Sequence, residues 1–172
     1  MKVKIYDVEN QVDINAKIVE AKDFKGNLPS ITDNWRFSFN KLSIGKNTRT
    51  YVLVAEHSDE VIEGCLIFKM LEGKEPYMAY IEIAPHNKGN EKQYDKIAGC
   101  LIAFASRLSF IHGKEYYTGY LTFHVSEESE EDQIKLMALY SKKYYAIRFA
   151  ETDLMIIKPE DGEKLIEFYL NK

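Results

Sequence analysis

Tyr80-Ile81-Glu82-Ile83-Ala84-Pro85 and, after the polar bridge His86-Asn87-Lys88-Gly89-Asn90-Glu91-Lys92, the run Gln93-Tyr94-Asp95-Lys96-Ile97-Ala98-Gly99-Cys100-Leu101-Ile102-Ala103-Phe104-Ala105 decide how this chain is read. The first piece continues Tyr77-Met78-Ala79, is rich in β-branched and aromatic residues, and stops at a proline that has no N–H to give a ladder, so it reads as a strand. In the second, Ile97, Leu101, Phe104, Leu108 and Ile111 recur at spacings of four, three, four and three, which predicts one face of a helix, with Gly113 as its stop. Tyr117–Val125 then reads as another strand. Strand, helix, strand at this length implies a parallel pair joined by a crossover helix packed on the sheet.

Upstream, Tyr51–Ala55 and Cys65–Phe68 join Tyr77–Ile83 as three successive antiparallel strands separated by polar turns. Downstream, the acidic run Glu127-Glu128-Ser129-Glu130-Glu131-Asp132 suits a helix start and precedes a stripe of Ile134, Met137 and Tyr140. Strands at Tyr145–Phe149 and Leu154–Ile157 pair through Glu151-Thr152-Asp153, and Pro159 opens a terminal helix bearing Leu165, Ile166 and Tyr169. The first fifty residues are the least legible: Val3–Val8 alternates, Ile14–Ala21 suits a short strand or helix, and Gly26, Pro29 and Asn34 mark a loop. The expected class is mixed α/β, a single domain over residues 1–172.

With 172 residues, 45% of them hydrophobic and only 4 prolines, the chain has the material for a real core and is no disordered tail. Asp plus Glu (27) outnumber Lys plus Arg (23), and a net charge of −4 argues against a nucleic-acid partner. The longest apolar run, Cys100–Ala105, is far below the roughly 20 residues of a membrane-spanning helix, and no apolar signal segment follows Met1, so no membrane and a cytoplasmic location are expected. Cys65 and Cys100 sit in apolar segments without a CxxC or a histidine at ligand spacing. They read as buried reduced thiols, and no metal is expected.

Serine-hydrolase, P-loop, zincin and dinucleotide signatures are all missing. What remains is the junction of strand end, polar loop and helix start around Gln93–Cys100, where unpaired N–H groups and the positive end of the helix dipole suit a pyrophosphate.

The order of elements and the two quoted runs resemble the GCN5-related N-acetyltransferase superfamily, in a bacterial branch whose strand ending in Ala-Pro-His-Asn precedes the helix start. The superfamily's cofactor motif is Gln or Arg, two residues, Gly, one residue, then Gly or Ala. Gln93 and Ala98 fit it, with Lys96 at the first glycine. Leu139-Tyr140-Ser141-Lys142-Lys143-Tyr144-Tyr145 resembles the Tyr-Glu-Lys-x-Gly-Phe segment, with Tyr140 as the tyrosine and Tyr144 at the glycine.

The resemblance covers roughly residues 51–169 and implies a mixed central sheet that splays open beside Ile83, with acetyl-CoA in the cleft. Its pantetheine arm would follow Ile83, Ala84 and Pro85, and its pyrophosphate would meet Gln93, Tyr94, Asp95, Lys96, Ile97, Ala98 and Gly99. Lys96 either obstructs that cradle or adds a phosphate contact. The implied reaction is direct acetyl transfer to an amine on a small molecule or peptide. Glu82 is the first candidate base and His86 the second, and Tyr140 is the acid that protonates the leaving thiolate. A homodimer is compatible with the fold. The alternative is a protein of this fold that has lost catalysis and serves as a CoA-sensing or protein-interaction module.

Overall fold

The computed structural model describes residues 1–171, in which nine strands form one sheet. The illegible N-terminus is a hairpin. β1 (Lys2–Asp7) pairs antiparallel with β2 (Val12–Glu20), burying Val3 and Ile5 while Lys2 and Lys4 face water, so a plain alternation carries it. Next come β3 (Thr48–Ala55), antiparallel to β2, and β4 (Ile62–Leu71) and β5 (Glu75–Ile83), which follow β3 as the antiparallel series that the sequence predicts. From Thr50 to Ala55 every residue of β3 is buried, which is what a central strand covered on both faces requires.

The chain then forms β6 (Tyr94–Asp95), which caps the β1 edge, and α2 (Ile97–His112), following the single-turn α1 (Phe39–Leu42) earlier in the chain. β7 (Leu121–His124), α3 (Glu130–Tyr144), β8 (Ile147–Arg148), β9 (Leu154–Ile157) and α4 (Pro159–Leu170) complete the order β6-β1-β2-β3-β4-β5-β7-β9-β8.

One face of the sheet packs Ile5, Ile18, Leu53, Leu66 and Phe68 against Leu101, Phe104 and Leu108 of α2. The other packs Val52, Val54, Cys65 and Ile67 against Trp35 and Phe39 from the long β2–β3 connection. Phe39 is fully buried, and withdrawing such a side chain from water contributes about 1.5–3 kcal/mol.

Three boundaries differ from the sequence reading. Helix α2 is buried nearly all round, being sandwiched between the sheet and α4, while Ile111, expected on its buried face, is 57% exposed. The strand expected at Tyr117–Val125 shrinks to β7 because Glu115–Tyr117 is a 3-10 turn and Gly119 takes φ 84°. That at Tyr145–Phe149 shrinks to β8 because Tyr145 takes a left-handed conformation that ends α3, one residue beyond Tyr144.

Helix α4 docks on α2 through a close approach at Gly99. A Cβ there would lie 2.2 Å from Cε1 of Tyr169. Gly99→Ala is therefore expected to destabilise the fold by about 1–3 kcal/mol, seen as a lowered Tm. In a double-mutant cycle, its cost should fall when Tyr169 is also shortened to alanine.

Candidate active site

Strand β5 is parallel to β7, as the strand-helix-strand pattern predicts, but the pairing lasts for one residue pair, Tyr77 with Thr122. A register shift in the β4–β5 ladder, from Ile67 opposite Tyr80 to Phe68 opposite Met78, leaves Ala79 as an extra residue on β5. Such a bulge bends its strand. Past it, the β7-facing backbone edge of β5 has no strand partner. Two cavities occupy the opening. One of about 270 Å³ lies among Ile81 and Ile83 of β5, Ala98 and Ile102 of α2, and Leu139 and Tyr144 of α3. The other, of about 550 Å³, lies among Lys69, Tyr77, Tyr80, His124 and Glu127. Arg36, Phe37, Ile81, Leu136 and Tyr140 line both.

Tyr140 thus stands where the cavities meet. Its ring packs against Phe123 at 4.9 Å and Tyr144 at 6.0 Å between centroids, and its hydroxyl has no hydrogen-bond partner among the described residues. Burial, with the Glu127 carboxylate adding to it, pushes the phenol up to about 12. It stays protonated wherever the fold is used.

Glu82 is 7% exposed and projects to the Trp35–Phe39 side of the sheet. Its Oε2 accepts from the amide of Arg36 (2.9 Å) and from Lys88 Nζ (2.7 Å), and its Oε1 from the amide of Phe37 (3.0 Å). The carboxylate therefore anchors the connection between β2 and β3. From that anchor the Arg36 guanidinium crosses the splay, donating to Glu127 Oε1 at 2.7 Å and to the Ser126 carbonyl at 2.9 Å.

The proposed pyrophosphate segment divides in two. Gln93 donates its amide to the His86 carbonyl and accepts from Val8, Tyr94 donates its amide to Asn87 Oδ1, and Tyr94 and Asp95 are paired with β1. Ala84 donates to the Glu63 carbonyl and is buried on the Trp35 side, and Pro85 opens a 3-10 turn. His86 Nε2 lies 2.6 Å from Oε2 of the buried Glu63, and neither residue lines either cavity.

Among the described residues the amides of Ile97, Ala98 and Gly99, in the first turn of α2, have no acceptor, though the Tyr169 ring covers Gly99. Ile83 and Ala98 line the smaller cavity with Tyr140, whereas Gln93, Tyr94 and Asp95 do not. Lys96, the residue before α2, has φ 72°, and its ammonium is 2.8 Å from Asp13 Oδ1 and 5.5 Å from the Tyr6 ring centre, drawn onto β1 and β2.

The sequence reading placed no site on His124, yet it lines the larger cavity with Nδ1 2.9 Å from the Tyr77 hydroxyl and Nε2 4.0 Å from Asp153. Its place at the carboxyl end of a parallel strand, where ligands of open α/β sheets gather, was the available signal. The acidic run is accounted for by local structure: Glu127 pairs with Arg36, Ser129 and Asp132 cap α3, and Glu131 pairs with Lys135. Cys65 and Cys100 are buried free thiols whose ionisation burial disfavours, Cys100 being pushed up to about 12. Among the described residues no cluster could hold a metal ion, and no helix is long and apolar enough to cross a membrane.

A mixed sheet splayed beside β5, with a helix N-terminus at the opening, is the architecture of GCN5-related N-acetyltransferases, and solved structures bear this out for the fold. No family model and no curated protein matches the sequence. The chain is similar to a structure in the KacTA–DNA complex (TM-score 0.58, 14% identity, 89% of this chain and 99% of that one). It is also similar to AtaTR bound with acetyl-CoA (0.56, 15%, 88% and 98%). A third is a GNAT family acetyltransferase from Elizabethkingia anophelis with acetyl-CoA bound (0.50, 12%, 83% and 97%).

These likenesses overturn the expectation of no nucleic acid and a small-molecule or peptide acceptor. Folds this similar occur in a complex with DNA and in the AtaT toxin bound to the C-terminus of the antitoxin AtaR. Net charge describes one chain, whereas a complex presents the charge of all its members.

Lys96→Gly is expected to raise stability by up to about 1 kcal/mol, a Tm gain of about 2–4 °C. Relief of the left-handed lysine outweighs loss of an exposed ion pair worth about 0–1 kcal/mol. Thermal denaturation of the two proteins checks this.

Proposed function

We propose that this protein is an acetyl-CoA-dependent N-acetyltransferase, its cofactor held between α2 and α3 and its acceptor amine admitted from the opposite face of the sheet. The observation that carries the reading is Tyr140, a partly buried phenol without a hydrogen-bond partner among the described residues, at the junction of two cavities beside an unpaired strand edge. The residues fit the cofactor. The apolar cavity between Ile81, Ile83, Ala98 and Ile102 suits a pantetheine chain, the β5 backbone offers it peptide hydrogen bonds, and the Ile97 and Ala98 amides with the Lys88 ammonium suit phosphate oxygens. Gln93, Tyr94 and Asp95 contribute as the frame that sets the helix start.

When bound, acetyl-CoA supplies a thioester carbonyl to the amine. Unpaired amides of β5 donate to the oxygen on which charge develops. Tyr140 donates its proton to the departing sulfur. His124, oriented by Tyr77, takes the proton that the amine must lose, directly or through water. Glu82, with both oxygens taken by three donors, positions the Arg36–Phe37 segment that closes the smaller cavity and does not itself act on substrate.

The crowding of the phosphate end, with Tyr169 over Gly99 and Gln93–Asp95 drawn toward β1, favours a second reading: a catalytically lost relative that senses CoA or engages a protein or DNA partner.

Acetyl-CoA is expected to raise the Tm, since a ligand of the folded state alone must stabilise it, and no shift at millimolar acetyl-CoA counts against acetyl transfer and CoA sensing alike. On any accepted amine, Tyr140→Phe should lower kcat by about ten- to a thousandfold with little change in acetyl-CoA affinity. Because burial raises this phenol, wild-type kcat should show no alkaline loss up to about pH 10. Full turnover by Tyr140→Phe leaves the tyrosine as packing only.

A further inference from the structure

Although Asp153 stands behind His124 and Glu75 near Tyr77, the charges among the residues that line the larger cavity do not balance. Among its lining residues Glu127 is the one carboxylate, and it is engaged by Arg36 at 2.7 Å, with the second guanidinium nitrogen held by the Ser126 carbonyl. His124 is tied to Tyr77. Lys69 remains: it lies on β4 directly opposite Tyr77, on the same face of the sheet, and no carboxylate among the described residues comes within 4.0 Å of its ammonium. A half-enclosed cation without a counter-ion, beside two aromatic walls from Tyr77 and Tyr80, repels a polycationic acceptor and attracts an anionic one.

We infer that the acceptor amine carries an anionic group, a carboxylate or a phosphate, which docks on Lys69 while the amine reaches the Tyr140 end of the cleft. The inference rests on the acetyl-transfer reading for what happens to the amine, but the docking is independent of turnover. The geometry sets a length. Tyr77, opposite Lys69, and Ile81, at the junction of the cavities, are four positions apart on β5, about 13 Å of strand at about 3.3 Å per residue. The lysine stem covers part of this distance, so amine and anion are separated by several bonds and do not share one carbon.

The test is calorimetric binding to the full chain with matched probes. 6-Aminohexanoate against hexylamine forms the carboxylate arm, 6-aminohexyl phosphate against 6-aminohexanol the phosphate arm, and 1,6-diaminohexane is the cationic control. The anionic member of at least one pair is expected to bind at least tenfold more tightly than its neutral-tailed partner, and the arm in which it does so identifies the anion. Lys69→Gln should erase the preference and Lys69→Glu should reverse it toward the diamine, both with wild-type Tm and acetyl-CoA affinity. Equal binding within both pairs, a preference for the diamine in wild type, no binding of any probe, or a preference that survives Lys69→Glu overturns the inference. Failure of acetyl-CoA to bind in a separate titration counts instead against the acetyl-transfer reading and leaves the probe comparison valid.

Discussion

A strand that loses its partner halfway along leaves a row of peptide groups that must find hydrogen bonds elsewhere, and the rest of this molecule is arranged around that constraint. β5 is held firmly on one side by β4, yet touches β7 at a single residue pair. The crossover through α2 fixes where β7 starts, and the bulge at Ala79 fixes how β5 leaves it. The opening is therefore written into two connected elements and needs no mobile loop to create it. An unpaired edge in an apolar setting is costly to desolvate. It persists here because α2 and α3 stand back from it and leave a cavity, which a ligand with peptide-like groups can enter without displacing structure.

The opposite side of the opening is governed by Glu82. A carboxylate that is nearly inaccessible must have its lone pairs satisfied, and two backbone amides and one ammonium do this. The consequence is mechanical: a connection with little regular structure, from short 3-10 turns at residues 21–23 and 31–33 to the single turn of α1, is pinned at Arg36 and Phe37 and then by Phe39 and Trp35 packed on the sheet. Arg36 carries the restraint across to Ser126 and Glu127, linking the two diverging halves of the sheet by side chain where the backbone no longer does so.

The legible parts of the sequence were those whose burial is regular. Tyr51–Ala55 announced itself because both of its faces are covered, and Ile97–Leu108 because its turns pack on the sheet. The first hairpin was harder, since an edge pair with lysines on its outer face leaves only a weak alternation. Tyr140 was singled out by its neighbours in sequence, and Ile83 and Ala98 by the order of elements; all three line a cavity beside β5. Glu82 could be placed near the cleft but not given its partners, because backbone amides from residues 36 and 37 have no side-chain signature. His124 was given no site for a related reason: its partner, Tyr77, is 47 residues away, and their meeting depends on the one point where β5 and β7 pair.

A sheet with an aperture in it is a partition with two sides. The helix-covered side and the side covered by the β2–β3 connection meet at Arg36, Phe37, Ile81, Leu136 and Tyr140, and Lys88 stands at one mouth while Lys69 and His124 stand at the other. Two molecules entering from opposite sides do not compete for one doorway, and neither must depart before the other arrives. Traffic of that kind is suited to a three-body encounter in which the transferred group never rests on the protein, and the two thiols of the chain, buried and outside the aperture, are in no position to interrupt it.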